Sequence, residues 1–179
     1  MNQAENKKQK LMFILIVVLA LITVAALCIT LWAVFFREPD ITLTPDYAPP
    51  NEEQYQKPIE GDSDDKMEAD EGGGAVSLTY SASVTVDLSD GMAILMFANP
   101  GKSTQDMVVQ VTIQDRVILQ SGRLTPGHQV TALELLDGAE KMLSVGGYKG
   151  KFVVLYYDPI SGEKAIVNTE IPIDITVIE

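Results

Sequence analysis

The chain has 179 residues, with 25 Asp and Glu against 13 Lys and Arg, and a formal net charge of −12. So acidic a chain repels nucleic acid and anionic lipid, which excludes both as attractive partners. Its single Cys and single His leave no material for a disulfide framework or a Cys/His zinc site.

Residues 1–10 carry Lys7, Lys8 and Lys10 and are too few to bury a core. They read as a cytoplasmic tail. Leu11 to Phe36 then runs for 26 positions without a charge. At about 1.5 Å per residue such a helix covers roughly 39 Å, more than the ~30 Å hydrocarbon core of a bilayer. Only Thr23, Cys28 and Thr30 dilute it, and a helix can absorb their polar groups. The lysines before the span, against Glu38 and Asp40 after it, predict a cytoplasmic N-terminus and an extracellular C-terminal part. Trp32, Phe35 and Phe36 suit the outer interface. A cleaved signal peptide is the rival: Val24-Ala25-Ala26 offers a cleavage site, but ten uncharged residues follow it. A lipoprotein signal would acylate Cys28, where the preceding Leu27 is too large. A retained single-pass anchor is the expectation. Ala26 and Thr30 could pair helices, but with no Gly pair a lipid-facing role is the simpler reading.

Residues 37–74 hold 12 acidic residues against 3 basic ones, five prolines and a closing Gly72-Gly73-Gly74. Low apolar content and like-charge repulsion predict a disordered acidic linker. Asp62-Ser63-Asp64-Asp65 resembles the start of a calcium loop, yet Met67 and Gly73 occupy the positions that need Gly and Glu.

From Ala75 the pattern turns to period two. Val84, Val86 and Leu88 alternate with polar residues, Asp90-Gly91 marks a turn, and Met92 to Phe97 returns as a partner strand. Further strands are expected at 108–114, 117–120, 128–135 and 151–157, with a closing pair over 164–178 and one helical turn within 137–143. Pro172 cannot donate to a ladder, so that end of the last strand should be an edge. Short strands, Gly/Pro/Asp turns and no amphipathic helix indicate an all-β domain over 75–179, an antiparallel sandwich, with a barrel as the alternative.

Leu143-Ser144-Val145-Gly146-Gly147-Tyr148, followed by the strand Lys151 to Tyr157, resembles the tyrosine corner of immunoglobulin-like domains. The resemblance implies a Greek-key, Ig-like sandwich in which Tyr148 pins a crossover, with Leu143 and Gly146 shaping it. Without a Cys pair or a core Trp, it is the disulfide-free Ig-like modules of membrane-anchored bacterial envelope and surface proteins that the chain is similar to. Those modules imply binding or assembly.

Residues for catalysis are sparse. His128, in Pro126-Gly127-His128, is the only histidine, and no Ser or Thr lies in a nucleophile motif. It reads as a turn residue. Paired carboxylates for glycoside hydrolysis are available only as scattered surface acids. No catalytic residue, metal ligand or cofactor is expected. Candidate binding loops are 98–105, with Asn99, Lys102 and Ser103, and 158–163, with Asp158 and Ser161. Phe152, Val154 and Tyr156 lie on one face of their strand, opposite Val153, Leu155 and Tyr157. Such a strand is central and covered on both sides, or it shows an aromatic stripe to a partner; the first is favoured. The expected function is a non-catalytic, membrane-anchored accessory subunit of an envelope complex. The partner is a protein or an external ligand. Second comes a surface adhesin for host protein or glycan, and last a wall-polysaccharide enzyme.

Overall fold

A computed structural model describes the backbone of residues 2–36, and residues 45–179. Helix α1, Asn2–Phe36, is continuous. Within it Lys10–Cys28 is long and apolar enough to cross a membrane, and none of that stretch is covered by protein. Among the described residues there is thus one candidate membrane helix, N-terminal and consistent with single-pass anchoring. The hydroxyls of Thr23 and Thr30 donate to the carbonyls of Leu19 and Ala26, both at 2.8 Å, which satisfies them without a partner helix.

The C-terminal part is a separate compact unit of strands. These are β1 (Lys57–Pro58), β2 (Thr79–Tyr80), β3 (Ser83–Asp87), β4 (Met92–Asn99), β5 (Asp106–Ile113), β6 (Arg116–Gln120), β7 (His128–Glu134), β8 (Gly146–Tyr157) and β9 (Lys164–Ile178). The helical turn is a 3-10 turn at Ala139–Met142. Lys164 to Ile178, expected as two strands, is one strand of 15 residues whose register slips once, opposite Leu155 to Tyr157.

The domain is mostly β, but it is not two separate antiparallel sheets. All nine strands join one sheet in the order β1-β7-β4-β3-β9-β8-β5-β6, with β2 beside β4. Strand β3 causes the difference. It pairs antiparallel with β4 along one edge and parallel with β9 along the other, so it stitches together what would otherwise be two layers. The resulting mixed sheet curls into a half-barrel, and a bridge between Leu119 and Leu135 brings β6 back against the end of β7.

The core lies inside this curl. Alternation delivers Val84 and Val86 from β3, Leu95 and Phe97 from β4, and Ile171, Ile173, Ile175 and Val177 from β9. Phe97 and Phe152 meet edge to face at 5.5 Å from strands that do not pair, which fixes the interior distance between them. Gly150 is required where β8 crosses the core, because a Cβ there would stand 2.4 Å from Ile175 Cδ1 and 2.6 Å from the Thr112 carbonyl.

Strand β5 and the second half of β8, residues 152–157, are covered on both faces. The second face gathers Val108, Leu155 and Tyr157 with Val153, and Ala48 packs over them. The cover therefore comes from the stretch expected to be a disordered linker. Residues 37–44 lie outside the described residues, but 45–74 form a strap along the domain. The Tyr157 hydroxyl donates to the Pro45 carbonyl at 3.1 Å, and the Lys164 N–H to that of Asp46 at 2.9 Å. Tyr47 bridges Glu163, Glu52 bridges Arg123, and β1 adds to the edge of β7. Farther on, the Asp62 carboxylate accepts the Gly101 N–H, while Lys66 Nζ donates to the carbonyls of Gly101 and Ser103 at 2.7 and 3.0 Å. Asp62, the first of the acidic run, thus docks the strap. The physical reason for the difference is that composition reports how little apolar surface the strap owns, not how much it covers.

Glu53 is the strap's buried anchor. Its carboxylate accepts the Gly122 N–H at 2.6 Å and the Tyr55 N–H at 2.9 Å. Gly122 allows the approach, since a Cβ there would lie 2.9 Å from Glu53 backbone atoms. Replacing Glu53 by Ala leaves the Gly122 donor unsatisfied and should cost about 1–3 kcal/mol. Urea unfolding of the full chain in detergent should show this loss, together with faster hydrogen exchange at Gly122.

Candidate functional site

The two candidate loops meet at one end of the domain. In the first, Asn99 and Ser103 are fully buried, not available to a ligand. Asn99 Nδ2 donates to the carbonyls of Gln105 and Leu124, both at 3.0 Å, which shapes the β4–β5 connection. Ser103 Oγ accepts the Ser77 N–H at 3.0 Å and ties the loop to the chain entering β2. Only Lys102 keeps an exposed side chain, and its carbonyl accepts the Met67 N–H at 2.9 Å. Short polar residues before a turn read alike whether they face water or staple the backbone.

Asp158 and Ser161 remain exposed at the β8–β9 turn. Asp158 Oδ1 accepts the N–H groups of Ser161 at 2.7 Å and Ile160 at 2.9 Å. These donors hold the Asp158 carboxyl below its ordinary range. The pair organises the turn.

At the opposite end, the Tyr148 hydroxyl donates to the Ser144 carbonyl at 2.9 Å and accepts the Ser144 N–H at 3.0 Å. Leu143 is buried in the core just before this loop. Gly146 sits at φ 149°, where side chains with a Cβ are rarely found. The Tyr148 ring packs against the core while its hydroxyl closes the loop. Tyr148→Phe should weaken the fold by about 1 kcal/mol, the net worth of an ordinary hydrogen bond. Thermal unfolding, together with proteolytic nicking between Ser144 and Gly147, checks this.

His128 Nδ1 lies 2.9 Å from Thr125 Oγ1 within its own turn. Among the described residues no carboxylate bonds its other ring nitrogen, and no group of three His, Cys, Asp or Glu side chains is placed to hold a metal ion.

A cleft of about 580 Å³ opens between the strap and the end of β7. Glu52, Glu53 and Tyr55 form the strap side, and Glu134, Leu135 and Asp137 the other. The Tyr55 hydroxyl donates to Glu134, and that bond, with burial and the charge of Glu134, raises the Tyr55 pKa. The lining is acidic, so it suits a cationic or hydrogen-bond-donating group. Sequence reasoning missed it because one wall belongs to a stretch that composition assigns to solvent.

At the start of β5, Asp106 is buried beside Arg123, whose Nε lies 3.6 Å from Oδ2. Burial raises the Asp106 pKa, and the Arg123 charge only partly offsets it. The folded state therefore holds this proton more tightly than the unfolded chain does. Its contribution to stability is fully present below the unfolded pKa and is lost as pH rises through the folded one. Asp106→Asn should raise the melting temperature at neutral pH, and the gain should shrink to nothing as pH falls through the carboxylate range. Melting curves of both proteins against pH test it.

No family model matches the chain, and no curated protein is significantly similar to it.

Proposed function

We propose that this chain is a membrane-anchored, non-catalytic binding and assembly module, an accessory subunit of a bacterial envelope complex. Its N-terminus is cytoplasmic and its β domain extracytoplasmic, as the lysines before the span and the acids after it favour. The observation that carries the reading is α1, an uncovered apolar helix joined to a β domain by only residues 37–44.

An Ig-like origin of the domain is supported by two features. The Tyr148 hydroxyl returns to the backbone four residues upstream, as in a tyrosine corner. The connectivity places β1, β7, β4 and β2 in one half of the sheet and β9, β8, β5 and β6 in the other, joined through β3, a Greek-key arrangement in which β3 belongs to both halves. The merged sheet is then a local departure from the two-layer form.

The short tether favours assembly over adhesion. Because 45–74 belongs to the domain, nine residue steps separate Phe36 from Pro45, and a fully extended chain covers at most about 32 Å over that number. An adhesin would need to project farther, and a wall-polysaccharide enzyme would need a catalytic constellation. The acidic cleft offers a basic or donor-rich surface of a neighbouring protein a place to bind.

Crosslinking in intact cells, followed by purification of the tagged full chain, is the test. Recovery of a discrete envelope protein at comparable abundance is the expected result. A clean preparation without any cellular partner would overturn the assembly reading in favour of an external ligand.

A further inference from the structure

We infer that the tip of the β8–β9 hairpin docks on the outer surface of the bilayer that α1 spans, with a zwitterionic phospholipid surface as its partner. This rests on α1 being a membrane anchor. Three aliphatic side chains stand in water on this one hairpin: Ile160 is 95 % exposed, Ile166 102 % and Val167 67 %. Tyr47, bridged to Glu163 on the same hairpin, is 61 % exposed. Nothing in the domain uses them, and the turn that presents Ile160 is held rigid by Asp158. A preorganised turn with Ile160 at its apex, and Ile166 and Val167 on the adjoining start of β9, suits shallow insertion between headgroups.

The chain's own course selects the occupant. The strap enters the domain at this hairpin, through the bonds from Tyr157 to Pro45, Lys164 to Asp46 and Ala48 to Gly162. The covalent limit of about 32 Å between Phe36 and Pro45 therefore applies to the hairpin itself. The turn at Asp90-Gly91 lies at the other end of the sheet, about 40 Å farther along the 12 residues of β8. A bilayer is thus the one apolar partner that the tether keeps permanently within reach of the tip. The flanking carboxylates of Asp46, Asp158 and Glu163, with only Lys164 among them, select neutral over anionic headgroups.

The test uses the full chain carrying Cys28→Ala, with Ile160→Cys or Asp90→Cys labelled with an environment-sensitive fluorophore, in phosphatidylcholine vesicles. Expected is a blue-shifted emission at position 160 with quenching by headgroup-proximal spin-labelled lipid several-fold stronger than at position 90. Equal, water-like behaviour at both positions in protein that floats with the vesicles overturns the docking while leaving the anchor intact. A blue shift at 160 without lipid quenching marks contact with another protein copy and also overturns it. Protein that fails to float overturns the anchor reading itself.

Discussion

Strand β8 is apolar on both faces, and the rest of the domain is arranged around covering both. One face, with Phe152, Val154 and Tyr156, fills the interior of the curled sheet. The other, with Val153, Leu155 and Tyr157, has no second sheet to lie against. Without cover, it would leave a contiguous apolar patch beside the fully buried β5, which shares the same outer surface through Val108. Ala48, with Pro45 bonded to the Tyr157 hydroxyl, meets that need. The domain is therefore not the 75–179 sandwich plus a leash, but a sheet that borrows cover from the chain before its first long strand.

This dependence explains where the polar groups have gone. The strap owns few apolar residues, so hydrogen bonds hold it: Glu53 to Gly122 and Tyr55, Lys66 to Gly101 and Ser103, Asp62 to Gly101. Each is charge-assisted, the stronger kind of hydrogen bond. The β4–β5 loop contributes to the same hold through its backbone, with the Lys102 and Ser103 carbonyls accepting from the Met67 N–H and Lys66 Nζ. The cleft beside the strap and the apex of the β8–β9 hairpin stay open to solvent.

The strand pattern was legible because alternation is a local signal. Val84, Val86 and Leu88 identify their strand without help from anything distant, as do Ile171 to Val177 in β9. The doubly apolar sequence of β8 likewise announced a central position. Three things were not legible. The parallel pairing of β3 with β9 joins residues about ninety positions apart and leaves no mark in either segment. Asn99 and Ser103 have the composition of an exposed loop, and only tertiary contacts turn them inward. The strap has the composition of a disordered tail, and its order depends on surface that belongs to other strands. Gly122 and Gly101 were the available hints: both sit where a Cβ would collide with the strap, at 2.9 Å from Glu53 and 2.6 Å from the Ser63 carbonyl. A glycine that no positive φ requires is a sign that another backbone passes close.

The open edge of β9 has a consequence for encounters between copies of the domain. Strand β3 covers β9 only from Asp174 onward, where the Asp174 N–H reaches the Ala82 carbonyl. Two residues earlier Pro172 faces the same side and has no N–H to offer, and Glu170 follows with a charge. An unguarded strand edge invites sheet-to-sheet pairing between copies. The proline blunts that edge at the point where β3 stops protecting it, so the uncovered stretch of β9 is a poor template for a strand from another copy.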